Sequence, residues 1–186
     1  MISLSGLMKN KKGLVMGVAN QKSIAWGIAE VLSEEGASLA LTYQGDNFKK
    51  RVEPLANSIG SNLVFDVDVT NESSVDKCFN ELSKEWGSLD FVVHALAFSD
   101  KSELSGRFIN TSRKNFLNSL DISCFSLIDV AKKCSSLMRP GGAILTLSYL
   151  GSQRVTPNYN VMGVAKAALE SSVSILQVIW ATMVLE

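Results

Sequence analysis

Two tyrosines and one lysine near the carboxyl end of the sequence have the clearest chemical potential. Tyr159 and Lys166 are seven residues apart, and seven helical steps of about 100° bring the chain within about 20° of two full turns. The spacing therefore predicts both side chains on one helix face. A phenol and an ammonium group there could stabilise negative charge on a substrate oxygen. Tyr149 would flank the substrate, and the alternative is two packed tyrosines with a solvated lysine.

Short apolar runs alternate with helical patterns along the whole chain. The predicted strands are Gly13–Val18, Ser38–Tyr43, Leu63–Val69, Phe91–Leu96 and Ala143–Ser148. The predicted helices are Ile24–Glu35, Asp46–Ile59, Ser73–Trp86 and Ser112–Met138, the last ended by Pro140-Gly141-Gly142. This alternation predicts an α/β fold, a doubly wound parallel sheet of Rossmann type in three α/β/α layers. We expect one dinucleotide-binding and catalytic domain over residues 1–186.

In such a sheet, ligands bind beyond the carboxyl ends of the strands, where the strand order reverses. The first strand–helix turn is not a GxGxxG motif, but Gly17 can form the tight turn after the strand. Ser23 can cap the helix and offer its hydroxyl to a phosphate. Gly27 would let helix and strand approach closely. The alternative is an ordinary strand–turn–helix with a serine cap.

Two further turns could contact a dinucleotide. Gln44 follows the second strand. At this position an acidic residue would bind the ribose hydroxyls of NAD, whereas an arginine nearby would bind the additional phosphate of NADP. The next arginine is Arg51, so the sequence favours NADH without settling the choice. Asp68 and Val69 end the third strand and could meet an adenine edge, or form only a turn. His94, within an apolar strand, is interpreted as a packed, hydrogen-bonded residue.

Composition excludes several classes of function. The 186 residues include 18 Lys and Arg against 18 Asp and Glu, whereas a nucleic-acid binder needs excess basic charge. A hydrophobic share of 46% argues against disorder. One histidine and three cysteines without metal-ligand spacing indicate no metal site. No uninterrupted apolar run approaches the ~20 residues of a membrane span, so we expect a soluble, cytoplasmic protein.

Several motifs together resemble one family. They are GVAN…SIAWGIA, TYQ, DVDV, HALAF and SYLG…PNYNVMGVAKAALE. From about Gly6 to Ser172 the chain resembles the bacterial NADH-dependent enoyl-acyl-carrier-protein reductases, a divergent branch of the short-chain dehydrogenase/reductases. The Tyr-x6-Lys spacing is specific to this branch, since the broader superfamily uses Tyr-x3-Lys and position 162 here is Met. Ala97 departs from the glycine common in the motif.

The resemblance implies hydride transfer from NADH to the β-carbon of a trans-2-enoyl thioester on acyl carrier protein, in fatty-acid elongation. It implies that Tyr159 contacts the thioester carbonyl, that Lys166 holds the nicotinamide ribose, and that Tyr149 is a second active-site tyrosine. The positions that match cofactor contacts are Gly17, Ser23, Ile24, Gln44, Asp68, Val69, Leu96 and Lys166. The family forms homotetramers, with no nucleic-acid or membrane partner implied.

The likeness stops near Ser172, and residues 173–186 read as an aberrant tail. Trp180 and Met183 have codons that end in G, and the codons that follow them begin with G, so a frame shifted by one base would place glycine at both junctions. We expect a frameshifted or truncated product that lacks the last strands of the family and has weak or absent turnover. The alternatives are a carbonyl-reducing relative and a non-catalytic dinucleotide-binding remnant.

Overall fold

The computed structural model of the chain describes residues 6–183, so residues 1–5 and the last three residues of the expected tail lie outside the described part. The strands are β1 Lys12–Met16, β2 Ser38–Tyr43, β3 Leu63–Asp66, β4 Leu89–His94 and β5 Met138–Thr146. The helices are α1 Ile24–Glu34, α2 Asp46–Ser58, α3 Glu72–Trp86, α4 Lys101–Leu104, α5 Arg113–Leu120, α6 Ser126–Cys134 and α7 Asn160–Met183. Two short 3-10 turns at Phe108–Asn110 and Leu150–Ser152 and a π turn at Asp121–Phe125 complete these elements.

The contacts within the chain group into two compact units. Among residues 6–183, the first unit comprises the residues up to Ala95 together with Lys133–Thr146, and the second comprises Leu96–Lys132 together with the residues from Leu147 onward. The first unit holds the sheet, and the second holds α4, α5, α7 and the residues proposed for the chemistry.

The first unit is built on a five-stranded parallel sheet in the order β3-β2-β1-β4-β5. Leu14 at the centre of β1 pairs with Ala40 of β2 on one side and with Val92 of β4 on the other. Strand order reverses between β1 and β4, which is the switch point of a Rossmann-like sheet. β5 pairs with β4 and forms one edge of the sheet. The predicted α/β class with a parallel, helix-flanked sheet is confirmed.

Both faces of the central strands are buried. Val15, Leu41 and Val93 on one face pack in a core that includes Trp26 of α1 and Val52 of α2. Alternate residues on the opposite face are also removed from water, since Leu14 and Val92 are 0% exposed. Strands buried on both faces read as continuous apolar runs, which is how they were predicted from the sequence.

The predicted helix Ser112–Met138 is wrong in extent. The segment contains α5, the π turn and α6, and α6 ends at Cys134. Met138 already pairs with Leu89 of β4, and the next paired residue of β5 in this register is Ala143, opposite Phe91. Pro140-Gly141-Gly142 therefore lies in a register shift of the strand rather than at the end of a helix. Proline cannot donate to the strand ladder and Gly141 has a φ of +80°, so both suit an irregularity.

Helix α7 is the main helix of the second unit. One side of it is buried, with Val161, Ala165 and Leu169 each 0% exposed. By length and composition alone, Asn160–Val178 is apolar enough to cross a membrane, with a mean hydropathy of 1.2. Core helices of globular proteins pass the same test. Lys166 and Glu170 of α7 hydrogen-bond to other residues of the second unit, as in a packed globular helix.

Candidate active site

Tyr159 lies immediately before α7 rather than on it. The first helical residue is Asn160, and the carbonyl of Tyr159 accepts the N–H of Met162 at 2.9 Å. Asn158 and Asn160 have positive φ angles of 59° and 29°, so the backbone around Tyr159 is not helical. The expectation that Tyr159 and Lys166 share a helix face is therefore wrong for Tyr159, while Lys166 lies on α7 as predicted.

The two tyrosines lie together. The rings of Tyr149 and Tyr159 meet edge to face, with centroids 4.8 Å apart and an interplanar angle of 63°. Burial, and to a lesser extent Tyr149, raises the pKa of Tyr159 above its usual value. The phenol of Tyr159 therefore remains protonated at neutral pH and can donate a hydrogen bond or a proton.

Lys166 is buried, with 5% of its surface exposed. Its Nζ donates to the carbonyl oxygen of Leu147 at 2.7 Å. Burial lowers the pKa of Lys166, and the thiol of Cys124 opposes that shift. The ammonium group is thus held at a fixed place beside the segment that leads into Tyr149. A solvated lysine, in contrast, would move freely.

Two glycines allow the tyrosine segment to pack on α7, and the sequence reasoning missed both. A Cβ atom on Gly163 would come within 2.8 Å of the carbonyl oxygen of Gly151. A Cβ atom on Gly151 would collide with the ring of Tyr159. Both glycines stand in the motifs SYLG and VMGVAK, which carry the family resemblance. Their place in these motifs is the signal by which their packing role could have been predicted.

A cavity of about 420 Å³ opens beside Tyr159 within the second unit. Phe108, the residues from Gly151 to Thr156, and Val164 of α7 are among those that line it. Tyr159 is the one member of the Tyr149–Tyr159–Lys166 set that lines this cavity. The cavity alone therefore does not define where a substrate would react.

The turn after β1 belongs to the first unit and contains the first cofactor candidates. Gly17 has a φ of +95°, which confirms that this position forms the tight turn. Ser23 stands at the N-cap position of α1, but its hydroxyl donates to the carbonyl of Asn20 at 2.6 Å and makes no cap hydrogen bond. The expected serine cap is therefore wrong, because the hydroxyl is turned back toward the loop.

The next two positions face solvent. Ile24, the first residue of α1, is 70% exposed, and Gln44 directly after β2 is also exposed. A Cβ atom on Gly27 would meet no atom within 4 Å. The expectation of close helix–strand packing at Gly27 is therefore wrong.

Asp68 and Val69 follow β3, which ends three residues earlier than predicted, at Asp66. One carboxylate oxygen of Asp68 accepts hydrogen bonds from the N–H and the hydroxyl of Thr70, at 2.9 and 2.7 Å. The backbone N–H of Asp68 donates to the hydroxyl of Ser74 at 3.0 Å. The Asp68 side chain thus stabilises a turn, which is the alternative that the sequence left open beside an adenine contact. Val69 is partly buried.

His94 ends β4 and is buried with 1% exposure. Its Nδ1 lies 3.1 Å from the hydroxyl oxygen of Thr146 on the neighbouring strand β5. The interpretation of His94 as a packed, hydrogen-bonded residue is confirmed. Leu96, the remaining cofactor candidate, is partly buried and belongs to the second unit. Among residues 6–183, no cluster of three His, Cys, Asp or Glu side chains could hold a metal ion.

A family model described as "Enoyl-(Acyl carrier protein) reductase" matches residues 17–182 of the chain. The chain belongs to this family of enoyl-acyl-carrier-protein reductases. The family resemblance read from the sequence motifs is thereby confirmed.

Curated enoyl-acyl-carrier-protein reductases show the same relationship. An NADH-dependent enzyme of this name from Rhizobium meliloti (strain 1021) is 56% identical over 178 residues, which cover 96% of this chain and 65% of the relative. The corresponding enzyme from Rickettsia felis is 51% identical over 172 residues, which cover 92% of this chain and 66% of the relative. The chain thus spans a little less than two thirds of the length of these relatives.

Solved structures of enoyl-acyl-carrier-protein reductases share the fold. The enzyme from Anaplasma phagocytophilum, solved in complex with NAD, is 56% identical with a TM-score of 0.93 over 96% of this chain and 69% of that one. The structure from Candidatus Liberibacter asiaticus is 49% identical with a TM-score of 0.94 over the same shares of the two chains. The backbone described above is therefore that of the enoyl-acyl-carrier-protein reductase family.

Proposed function

We propose that this chain carries the catalytic residues for NADH-dependent reduction of trans-2-enoyl thioesters on acyl carrier protein, a step of fatty-acid elongation. The observation that carries the proposal is the contact between Tyr149 and Tyr159 in the unit that also buries Lys166. The Tyr-x6-Lys spacing of this branch includes two of these residues, Tyr159 and Lys166. The assignment of catalytic roles to all three is part of the proposal.

The turn after β1 fits a dinucleotide. Gly17 takes a positive φ there, and α1 has no acidic residue in its first turn, so the helix N-terminus suits an anionic pyrophosphate. We assign the NAD contacts to Gly17, Ser23, Ile24, Gln44, Asp68, Val69, Leu96 and Lys166. When bound, NADH supplies the hydride. Gln44 carries no charge to pair with an additional ribose phosphate, which supports NADH over NADPH.

Tyr159 acts where charge develops. Reduction at the β-carbon moves an electron pair onto the thioester carbonyl oxygen, and the Tyr159 hydroxyl donates a hydrogen bond to that oxygen. Its raised pKa keeps the phenol neutral, so it can donate across the physiological pH range. The Tyr149 ring lies against Tyr159 and limits the orientations of that phenol.

Lys166 contributes charge and hydrogen bonds. An ammonium group has three N–H donors, and the bond to Leu147 uses one of them. The other two can serve the hydroxyls of the nicotinamide ribose. The positive charge also favours an anion on the substrate oxygen.

The partners and the cellular location follow from the same proposal. The substrate arrives on acyl carrier protein in the cytoplasm, and the family assembly is a homotetramer. The balanced charge of 18 basic and 18 acidic residues supports the absence of a nucleic-acid partner. The packed polar side chains on α7 support a soluble protein without a membrane partner.

The test is NADH consumption by the purified chain with a trans-2-enoyl thioester and, separately, with a 3-ketoacyl thioester. Consumption with the enoyl thioester supports the proposal, and consumption with the ketoacyl thioester alone indicates the carbonyl-reducing alternative. NADH binding without turnover on either substrate indicates a dinucleotide-binding protein that is not a catalyst.

Tyr159→Phe sharpens this test. Loss of the hydroxyl should lower turnover of the enoyl thioester roughly 10²- to 10⁴-fold, because a positioned proton donor contributes about that much. NADH affinity, measured by fluorescence titration, should remain unchanged. Tyr43→Phe removes a phenol from the first unit and serves as the matched control. Equal losses in both variants would contradict the role given to Tyr159.

A further inference from the structure

A carboxylate on α7 holds the segment that carries Tyr149. Glu170 lies one helical turn after Lys166, and its Oε1 accepts a hydrogen bond from the hydroxyl of Ser152 at 2.6 Å. The same oxygen accepts a hydrogen bond from the hydroxyl of Ser148. The hydrogen bonds from the two serines lower the pKa of Glu170, so it is ionised at neutral pH.

These contacts hold both ends of the tyrosine segment. Ser148 directly precedes Tyr149, and Ser152 ends the 3-10 turn that follows it. The N–H of Ser152 also donates to the carbonyl of Tyr149 at 2.9 Å. Lys166 holds Leu147 immediately upstream. Two charged residues on successive turns of α7 thus fix the backbone on either side of Tyr149.

The position of the Tyr149 ring depends on that backbone. The ring is 50% exposed, so packing alone does not fix it as packing fixes a core side chain. Its edge-to-face contact with Tyr159 requires centroids within a few ångströms, and they lie 4.8 Å apart. A segment released from α7 would let the ring move away from Tyr159.

We propose that Glu170 is a positioning residue that holds the segment 148–152 on α7 and thereby keeps the Tyr149 ring against Tyr159. Its effect on turnover rests on the proposed function, but its effect on the tyrosine pair does not. Glu170 does not touch the reacting atoms in this role, and it acts through the two serines.

Four variants isolate the interaction. Glu170→Ala removes the acceptor, and Glu170→Gln keeps a carbonyl oxygen that can still accept from the serines. A double variant, Ser148→Ala with Ser152→Ala, removes the two serine donors and leaves the carboxylate. Glu103→Ala is the matched control, because Glu103 in the same unit also accepts two hydrogen bonds, both from Ser112.

The first measurement is the ionisation of the tyrosines, followed by ultraviolet absorbance against pH in the intact chain. In the unaltered chain burial, and to a lesser extent Tyr149, raises the pKa of Tyr159 above the usual value of ~10. Glu170→Ala and the double serine variant should return this titration toward ~10, whereas Glu170→Gln and Glu103→Ala should not. Tyr159→Phe identifies the transition. An unchanged titration in a folded Glu170→Ala or double serine variant would overturn the proposal.

The second measurement is turnover of the enoyl thioester. Misplacement of a catalytic group by about 1 Å can cost 10²-fold in rate, so Glu170→Ala should lower kcat by roughly 10- to 100-fold and Glu170→Gln should recover most of it. In a Tyr149→Ala background, Glu170→Ala should add no further loss. An equal loss in both backgrounds would show that Glu170 does not act through Tyr149. If the chain turns over no substrate, the titration still decides the positioning role.

Discussion

At the scale of the residue, burial acts in opposite directions on the two proposed catalytic groups. The charged form of lysine is its protonated form, so burial lowers the pKa of Lys166. The charged form of tyrosine is its deprotonated form, so burial raises the pKa of Tyr159. Burial therefore favours the neutral form of both groups, the free amine of Lys166 and the protonated phenol of Tyr159.

The lowered pKa of Lys166 predicts the alkaline limb of the activity profile. The kcat should fall as pH rises through the lowered pKa of Lys166, starting below the usual lysine value of ~10.4. The arginine of a Lys166→Arg variant keeps its charge to above pH ~12. This variant should therefore move the alkaline limb of kcat to higher pH, independently of its effect on the maximal rate. The measurement is kcat against pH for both proteins. Coincident alkaline limbs would show that Lys166 does not control the titration.

The individual site residues were predictable to different degrees. The spacing predicted that Tyr159 and Lys166 share a helix face, but the helix begins one residue after Tyr159, where Asn158 and Asn160 take positive φ angles. Helical periodicity carries no information on such a local backbone reversal. The role of Glu170 was not predicted either, since its serine partners lie 22 and 18 residues away in the chain.

At the scale of the element, the helices and strands followed the apolar pattern closely where the pattern was local. β2 coincides with its predicted bounds Ser38–Tyr43, and α1 ends one residue earlier than predicted. The prediction of one helix from Ser112 to Met138 failed, because continuous apolar spacing does not reveal the change from α to π geometry at Asp121–Phe125. Hydrogen-bond register, and not composition, decides that change.

We predict that substitutions at the N-caps of α1 and α3 affect stability differently. The side chain of Asn71 accepts the N–H groups of Ser73 and Ser74 at the start of α3, whereas Ser23 makes no such bond at α1. Asn71→Ala should lower the free energy of unfolding by about 1 kcal/mol, and Ser23→Ala should lower it less. Denaturant unfolding without NADH measures both. The reverse ranking would contradict the cap assignment.

Two helical glycines form a second contrast. Gly163→Ala places a methyl group against the carbonyl oxygen of Gly151 and should destabilise the chain by about 1–3 kcal/mol. Gly27→Ala on α1 meets open space and should stabilise it by about 0.5–1 kcal/mol. Thermal or denaturant unfolding of the two variants measures both effects. Destabilisation by Gly27→Ala would show that α1 is packed more closely than described.

At the scale of the whole molecule, the cysteines report on each unit separately. Cys78 and Cys134 are buried in the first unit and Cys124 in the second, all as free thiols. Burial raises the pKa of Cys78 to about 12 and raises that of Cys134 as well. Reactive thiolate at neutral pH is therefore scarce in the folded first unit.

A thiol reagent added along a denaturant series should consequently label these cysteines only on unfolding. One domain over the whole chain, which we propose, requires Cys124 to become reactive at the same denaturant concentration as Cys78 and Cys134. Cys124→Ser and the double variant Cys78→Ser with Cys134→Ser separate the two signals. Different midpoints would show that the units unfold independently.

β5 has a consequence for the protein in solution. One side of the strand pairs with β4, and no described strand pairs with its other side. Leu145, half exposed, adds apolar surface to this strand. Unpaired backbone N–H and C=O groups along a sheet edge are a template for pairing with another chain, including β5 of a second molecule. For the described part of the chain, we therefore expect sheet-to-sheet self-association in concentrated samples without loss of the native fold.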